Sequence, residues 1–393
     1  MDETVEVVIE KLVYGGDGFG RIDGQAVFVP GTAPGDVVRA RVVERKKGFL
    51  RAEPVELVTP GPGRREPPCP LVGRCGGCQL QHVDYATQAA AKGEFVREAL
   101  VRIGRLDLPG PIHVHADAEH ELGYRVRATA HVARTRGGPL FGFYEARTHR
   151  IVDVPSCPLF VPELDAEWQR AREPGAMPGG TTEVEISAGD EVTIAGIRYR
   201  FGAGTFFQVN RFMLDALVDG AIGGEPGGGL ALDLYAGVGL FAIPLARRFE
   251  RVVAVEGNRR AADYARANAK MNGARNVQVV VEPVERWLDR AEGTADLVVL
   301  DPPRTGLGRE GAAALARLAP GRIVYVSCDP ATLARDARVL VDAGYVLEKV
   351  EAYDLFPQTY HVEAIMKLRR EGSGARGQGS GKTTPISSLT PDP

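Results

Sequence analysis

The sequence contains no apolar run of about 18 residues and no basic-then-apolar leader at its start. These absences argue against a membrane-spanning helix and a secretory signal peptide. The formal net charge is only −3, which argues against wholesale coating of nucleic acid, although one local basic face would be hidden in this sum. We therefore expect a cytoplasmic monomer with no membrane partner.

Cysteine is scarce, and five cysteines in a reducing compartment do not suggest a disulfide framework. Cys69, Cys75 and Cys78 lie in one short segment, with two glycines that permit the tight turns needed for sulfurs to converge. Cys157 follows later in the chain. Thiolates suit zinc or an iron–sulfur cluster, and the spacing alone does not choose between them. The four thiols predict a structural metal site.

Residues 1–57 show short alternating runs at 5–9, 26–28, 37–43 and 52–57, separated by glycine-rich turns. This rhythm predicts a five-stranded, OB-like barrel. The barrel carries a basic cluster made of Arg39, Arg41, Arg45, Lys46, Lys47 and Arg51, beside Phe49. Such a cluster could form a phosphate track with one stacking aromatic, but a solvated hairpin shows the same pattern.

Residues 58–92 form a proline-rich connector and the cysteine loop, and 93–200 are predicted to be a central β-rich α+β domain. An amphipathic helix is expected at 85–106, followed by strands at 124–131, 140–144, 149–152, 183–186 and 192–200. Arginines alternate with aromatic residues along these strands. That alternation could hold phosphates and stack extruded bases, but any half-buried sheet shows it too.

Residues 201–370 alternate strands with helices, which predicts a seven-stranded, doubly wound sheet. A Gly-x-Gly-x-x-Ala turn containing Gly237 and Gly239 would let a ligand approach backbone amides at a helix start, and NAD would fit it equally well. Glu256 ends the next strand, where a carboxylate can bind both hydroxyls of an adenosine ribose. Asp233, Glu256, Asp301 and Cys328 all fall at carboxyl ends of strands, on one rim.

Cys328 follows an apolar, β-branched strand that Pro330 prevents from continuing. Ligands of open α/β sheets bind in the crevice beyond the carboxyl ends of strands, so this thiol would be exposed to substrate chemistry. The alternative is an inert, buried cysteine.

Three segments resemble the signatures of the SAM-dependent RNA uracil-5-methyltransferases, namely 301–304 (Asp-Pro-Pro-Arg), 327–336 and 354–363. The glycine pattern of 15–36 resembles the TRAM domain, an RNA-binding barrel. Residues 75–82 resemble the cluster loop of the 5-methyluridine methyltransferases that carry a [4Fe–4S] centre, and 206–210 (Phe-Phe-Gln-Val-Asn) match the family again. The resemblance runs from the barrel to Lys367.

The resemblance implies a methyltransferase that uses S-adenosyl-L-methionine to methylate uracil C5 in structured RNA, ribosomal RNA being favoured over transfer RNA. It implies that Cys328 is the nucleophile and Glu363 the base. The cofactor and target pocket would be lined by Gln208, Tyr235, Gly237, Gly239, Glu256 and Asp301. The [4Fe–4S] cluster would be held by Cys69, Cys75, Cys78 and Cys157.

The sequence departs from the family pattern at two positions. Asp329 stands where asparagine is common, and Leu240 stands where many members place a polar cofactor contact. Neither position is the nucleophile or the base.

Two other functions stay open. A nucleic-acid amino-methyltransferase would have a similar fold, but it expects an aromatic residue after the two prolines, where this chain has Arg304. An RNA-binding protein with a structural metal and an inactive methyltransferase domain is the second alternative, against which Cys328 and Glu363 argue. Residues 371–393 are predicted to be a disordered tail, and the phosphate-loop-like segment 379–383 lacks a preceding strand.

Overall fold

The first unit of the computed structural model, which describes residues 3–135, 138–173, 175–176 and 180–372, is a closed barrel. Its strands are β1 (Thr4–Leu12), β2 (Gly18–Ile22), β3 (Gln25–Val29), β4 (Val37–Arg45) and β5 (Phe49–Thr59). They pair in the order β1-β2-β3-β5-β4, and β4 closes the barrel on β1. Alternate side chains such as Val7, Ile9 and Val27 fill the interior. The predicted five-stranded barrel is confirmed.

The basic cluster of the barrel is largely paired with carboxylates on neighbouring segments. The ion pairs are Arg39–Glu56, Arg41–Glu53, Arg45–Glu3, Lys46–Glu44 and Arg51–Asp17. Exposed pairs of this kind contribute little stability, but they cancel the charge that phosphates would need. The structure therefore favours the solvated hairpin over a phosphate track.

Residues 60–84 connect the barrel to α1 (Tyr85–Arg102), which is followed by the short strand β6 (His113–His115). Helix α1 begins at Asp84, whose carboxylate accepts a hydrogen bond from the Thr87 backbone N–H at 2.8 Å. It ends before the predicted residue 106. The side chains of Lys11 in the barrel and Glu98 in α1 form an ion pair, which docks the barrel on the helix.

The central unit is an antiparallel sheet of order β10-β7-β8-β9. Its elements are β7 (Arg127–Thr135), β8 (Gly138–Tyr144), β9 (Ile151–Asp153), α2 (Pro162–Arg172) and β10 (Glu183–Ser187). Helix α2 covers the sheet with the buried side chains of Leu164 and Trp168, and the Trp168 ring lies 4.7 Å from that of Phe141. Helix α2 was not among the predicted elements, although an α+β unit was predicted.

The predicted strand at 192–200 is a hairpin instead, made of β11 (Glu191–Ile194) and β12 (Ile197–Arg200). Ala195 and Gly196 both have positive φ, +48° and +73°, which is the backbone of a tight two-residue turn. The glycine was therefore the overlooked turn signal.

The C-terminal unit is an eight-stranded sheet with helices on both faces. Its elements are α3 (Leu214–Ile222), β13 (Gly228–Leu234), α4 (Ala242–Leu245), β14 (Phe249–Glu256), α5 (Arg259–Met271), β15 (Val277–Val281), α6 (Val284–Arg290), β16 (Leu297–Leu300), α7 (Gly308–Leu318), β17 (Arg322–Ser327), α8 (Pro330–Asp342), β18 (Tyr345–Tyr353) and β19 (Glu363–Arg370). The strand order is β15-β14-β13-β16-β17-β19-β18-β6, and β19 runs antiparallel to both neighbours. The predicted doubly wound sheet is confirmed.

The eighth strand is β6, which pairs in parallel with β18 at the edge of the sheet. Val96 and Leu100 of α1 are fully buried in the same core as this sheet. The apolar face of α1 thus packs on the C-terminal unit, although the central domain was predicted to begin at residue 93. The seven strands predicted within residues 201–370 are present as β13–β19, and β6, from outside that range, adds the eighth.

In the described ranges, no helix is long and apolar enough to cross a membrane. The predicted tail, apart from Glu371 and Gly372, and segment 379–383 lie outside the described residues.

A buried ion pair fixes α1 to the C-terminal unit. Lys92 and Asp354 have fully buried side chains, and Lys92 Nζ lies 2.5 Å from Asp354 Oδ1 and 3.0 Å from the Phe356 carbonyl oxygen. Removing one partner of such a pair leaves an uncompensated buried charge.

We expect Lys92→Met to lower the free energy of unfolding by about 3–5 kcal/mol, because Asp354 would lose its partner. Adding Asp354→Asn to Lys92→Met removes the uncompensated charge and recovers part of the loss. Urea unfolding of both variants measures the effect. Equal stabilities for Lys92→Met and wild type would contradict the role of the pair.

Candidate active site

Acidic residues and one thiol line the carboxyl ends of four adjacent parallel strands. Asp233 lies near the end of β13, Glu256 ends β14, Asp301 follows β16 and Cys328 follows β17. Since these strands neighbour one another in the order β14-β13-β16-β17, the side chains form one row along the rim. The predicted shared rim is observed.

Glu363 reaches the same rim from the opposite direction. It opens β19, which runs antiparallel to β17, and Ser327 pairs with Ala364. One further step in this register sets Cys328 opposite Glu363, and opposed positions of an antiparallel pair are near neighbours. The thiol and the carboxyl thus lie beside each other, although they are far apart in the sequence.

The turn after β13 has left-handed backbone at Tyr235, Gly237 and Gly239, with φ of +61°, +55° and +93°. The Gly237 N–H donates to Glu256 Oε2 at 2.8 Å, and the Asn258 N–H donates to Glu256 Oε1 at 2.6 Å. A Cβ at Gly237 would meet no heavy atom within 4 Å. The turn therefore leaves open space against its backbone and fixes the Glu256 carboxylate.

Gln208 belongs to the segment that leads into the C-terminal unit. Its side chain is buried, and within the described part of the chain its Oε1 has no hydrogen-bond partner. The neighbouring Phe207 is anchored by stacking on Phe201, with ring centroids 4.4 Å apart. A buried amide oxygen without a hydrogen-bond partner lowers the stability of the folded protein. It therefore indicates a ligand that supplies a hydrogen-bond donor.

Burial dominates the electrostatics of the rim. It raises the pKa of the Cys328 thiol to about 12, with Glu363 and Asp301 adding to the shift and Arg304 opposing it. Burial also raises the pKa of Glu363 well above its usual range, reinforced by Asp301. Asp301 keeps some exposed surface, yet desolvation raises the pKa of its carboxyl to about 7. The ligand-free site therefore disfavours negative charge and favours an incoming cation.

Arg304 and His361, both within the family signatures, were assigned no role from the sequence. Arg304 Nη2 lies 3.3 Å from His361 Nε2. Burial, together with the Arg304 charge, lowers the pKa of His361 to about 4. His361 is therefore neutral at pH 7, and it lies two residues before Glu363.

The departure at Asp329 is explained by capping of α8. Asp329 Oδ1 accepts hydrogen bonds from the backbone N–H groups of Ala331 and Thr332, both at 2.9 Å. Asparagine would supply the same acceptor. The Tyr14 hydroxyl of the barrel donates to Asp329 Oδ2 at 3.3 Å, a long-range contact that no local pattern could reveal. The side chain of Leu240, the other departure, packs in the apolar core.

The four remaining cysteines meet at a second location. Cys69, Cys75, Cys78 and Cys157 line one cavity of about 430 Å³, together with Arg125. Among the residues that the structure describes, no three or more His, Cys, Asp or Glu side chains are grouped closely enough to hold a metal ion. The thiols thus surround a space and do not close on one point.

Comparison with known proteins follows the same division into units. The profile of the tRNA (Uracil-5-)-methyltransferase family matches residues 186–371, and that of the TRAM domain matches residues 2–55. An RNA methyltransferase of Gloeobacter violaceus is 34% identical, covering 94% of this chain and 97% of its own. One of Thermosynechococcus vestitus is 32% identical, covering 93% of this chain and 98% of its own.

The chain belongs to the RNA (uracil-5-)-methyltransferase family. Among solved structures it is similar to the Pyrococcus abyssi tRNA (uracil-54, C5)-methyltransferase in complex with S-adenosyl-L-homocysteine. The TM-score is 0.70 at 27% identity, covering 93% of this chain and all of the other. The protein is thus an RNA methyltransferase with S-adenosyl-L-methionine as its cofactor.

The raised pKa of Asp301 predicts a cost in stability that grows with pH. Below pH 4 the carboxyl is protonated in the folded and the unfolded state, whereas between pH 4 and 7 it ionises more readily in the unfolded state. Folded wild-type protein therefore loses stability as pH rises through this window. Asp301→Asn should raise Tm at pH 8 by at least about 2–4 °C, the shift produced by 1 kcal/mol, and much less at pH 4.

Thermal unfolding of cofactor-free wild type and Asp301→Asn at both pH values measures this difference. If Asp301→Asn differed from wild type by the same Tm at pH 4 and at pH 8, ionisation of the buried Asp301 carboxyl would not be the cause of the difference.

Proposed function

We propose that this protein methylates C5 of a uridine in structured RNA through a covalent adduct between Cys328 and C6 of the base. The observation that carries this proposal is the register that sets Cys328 opposite Glu363 on one rim. Uracil C5 is too weak a nucleophile to accept a methyl group directly. Addition of a thiolate at C6 moves electron density onto C5, and thiolate is also a competent leaving group.

Cys328 must lose its proton to solvent before it adds, because burial favours the neutral thiol. Arg304 opposes this shift, so its charge supports the thiolate form. Bound S-adenosyl-L-methionine supplies an electrophilic methyl group on a sulfonium. After methyl transfer, Glu363 accepts the C5 proton, the bond between C6 and Cys328 breaks, and its electrons return to the sulfur.

The residues of the rim fit the cofactor. The open space against Gly237 suits close approach of a ligand to the backbone, and Glu256 would bind ribose hydroxyls. Tyr235, Gln208 and Asp301 complete the proposed cofactor and target pocket. The unpartnered Gln208 Oε1 and the partly buried Asp301 carboxyl suit a ligand that carries donors and positive charge.

A [4Fe–4S] cluster is the metal group that the four cysteines support best. All four donors are thiolates, the soft ligands of such clusters. Zinc also accepts four thiolates, and the resemblance of residues 75–82 to a [4Fe–4S] loop favours the cluster. The cluster would join the loop after the barrel to Cys157 in the central unit, as a structural element.

RNA is the proposed partner, and aromatic residues of the barrel support this. Phe28 lies between Phe19 and Phe49, with each pair of ring centroids 5.7 Å apart. The Arg21 guanidinium lies 5.2 Å from the Phe19 ring, and that of Arg51 lies 5.8 Å from the Phe49 ring. Phe19 is buried and supports the other two rings, and the half-buried Phe28 and Phe49, with an adjacent arginine, are suited to stacked bases.

Ribosomal RNA, the target favoured by the sequence, stays a prediction, and the similar Pyrococcus abyssi enzyme acts on transfer RNA. A flipped uridine is required in either case, because a stacked base cannot reach the thiol. Mass spectrometric mapping of 5-methyluridine in both RNAs from a deletion strain identifies the target. Unchanged 5-methyluridine in every RNA would contradict the proposed reaction.

Substitution of the two catalytic candidates should separate their roles. Cys328→Ala should abolish methylation and form no adduct, since no bond to C6 can form. Glu363→Gln should still add and transfer the methyl group but lack the base, so a methylated protein–RNA adduct should accumulate. Denaturing gel electrophoresis with labelled RNA detects it. Near wild-type turnover by Glu363→Gln would remove Glu363 from the mechanism.

The metal assignment predicts that anaerobically purified protein is brown and that reductant bleaches its visible absorbance. Cys78→Ser should lose this absorbance together with much of the soluble yield, because the cluster joins two units. Iron and sulfide analysis with absorbance spectroscopy provides the measurement, and Cys328→Ala is the matched control that should keep its colour. Colourless protein with stoichiometric zinc would overturn the cluster.

A further inference from the structure

The segment 354–361 between β18 and β19 leads directly to Glu363, and it is held from several sides. Tyr124 donates its hydroxyl to the Pro357 carbonyl oxygen at 3.0 Å. The Thr359 hydroxyl donates to the Phe356 carbonyl oxygen at 2.8 Å and accepts from the His361 N–H at 3.2 Å. The segment, called the catalytic loop below, is thus a fixed connection and not a free turn.

Gln358 lies at the centre of this loop, with a side chain that is 0% exposed and a backbone φ of +70°. Its Oε1 accepts from Arg65 Nη2 and from Gln88 Nε2, both at 3.0 Å. Its Nε2 donates to the Glu121 carbonyl oxygen at 3.2 Å and to Glu121 Oε2 at 3.1 Å. Both lone pairs and both N–H groups of the amide are therefore used.

The backbone of Gln358 connects the catalytic loop to the cysteine loop. Its carbonyl oxygen accepts from the N–H groups of Gln79 and Leu80, at 3.1 and 3.0 Å, directly after Cys78. Its own N–H donates to Gln88 Oε1 at 3.0 Å. Gln88 is also fully buried and donates to the Leu80 carbonyl oxygen at 3.1 Å.

The side-chain partners of Gln358 are themselves rigid. Arg65 binds Glu121 with two parallel hydrogen bonds of 3.0 Å, a bidentate geometry that fixes both side chains. Arg65 also donates from Nε to the Gln81 carbonyl oxygen at 3.2 Å. Gln358 is therefore contacted by four segments of the chain: the connector, the cysteine loop, α1 and the residues near 121.

We propose that Gln358 is a positioning residue, which holds the catalytic loop and the cysteine loop as one unit so that Glu363 meets the C5 proton. The inference rests on the proposed function, because it assigns Glu363 the proton-transfer step. Gln358 does not touch the reacting atoms. It acts through the four residues, 359–362, that join it to Glu363.

This arrangement has a consequence for the order of steps. A loosened catalytic loop misplaces Glu363, which follows it, but leaves Cys328 after β17 and the proposed cofactor residues at the ends of β13 and β14 in place. Addition and methyl transfer then proceed while proton removal is slowed. The adduct should therefore accumulate even though both catalytic residues are present.

The test compares Gln358→Leu with wild type and with the matched control Asn276→Leu. Asn276 donates to the carbonyl oxygens of Ala246 and Phe249, at 2.9 and 2.8 Å, and the catalytic loop makes neither bond. For Gln358→Leu we expect kcat to fall about 10- to 100-fold, the usual effect of a misplaced catalytic group. KM for RNA and the affinity for S-adenosyl-L-homocysteine should change less than about twofold, and the adduct fraction should rise.

A pair of substitutions guards against simple misfolding. Gln358→Glu alone sets a second carboxylate against Glu121 and should reduce kcat. Adding Glu121→Gln returns a donor and an acceptor to the same contact and leaves Arg65 a carboxylate partner, so kcat should recover at least partly. No recovery in folded double variant would overturn the inference.

Two further outcomes count against it. In the first, Gln358→Leu shows parallel losses of adduct yield, affinity for S-adenosyl-L-homocysteine and folded fraction. In the second, Gln358→Leu has the same kcat and adduct fraction as Asn276→Leu. Either result would make Gln358 merely structural. Failure of wild type to methylate any RNA contradicts the proposed function instead, so the two failures are distinguishable.

Discussion

The antiparallel pairing of β17 with β19 is the constraint on which the site depends. Parallel strands deliver all their carboxyl ends to one rim, but they cannot deliver the start of another strand there. Because β19 is reversed, Glu363 at its first position lies opposite Cys328, just beyond the last residue of β17. A shift of register by one residue would turn Glu363 to the other face of the sheet. The buried residues of both strands hold the register against such a shift.

Desolvation raises the pKa values of the acidic groups in this site, and it lowers the stability of the folded protein when these groups ionise. The thiol and two carboxyls share a buried rim, and each disfavours the charge of the others. Arg304 lies close enough to oppose part of this effect. Burial thus favours the neutral forms of these groups, and under the proposed mechanism a bound cationic cofactor would offset part of that effect.

The row of strand-end residues could be predicted from the sequence, because each signal is local. An apolar strand followed by Asp301 or Cys328 can be recognised from its own neighbours. Contacts between distant segments carry no such signal. The packing of α1 and β6 on the C-terminal sheet, the contact of Tyr14 with Asp329, and the bonds around Gln358 all depend on the assembled fold. Periodicity shows that α1 has an apolar face, but not which unit covers it.

The barrel offers RNA phosphates little unpaired positive charge. The net charge is −3, and Arg39, Arg41, Arg45 and Arg51 of the barrel form ion pairs with carboxylates. An RNA phosphate must displace such a carboxylate to gain an arginine, so nonspecific binding gains little from these pairs. In the proposed complex, stacking of bases on aromatic rings and a rigid site for the flipped uridine then contribute more of the binding free energy than phosphate contacts do. Such contacts need a rigid frame, which the buried pair of Lys92 and Asp354 and the hydrogen bonds of Gln358 provide between α1, the cysteine loop and the catalytic loop.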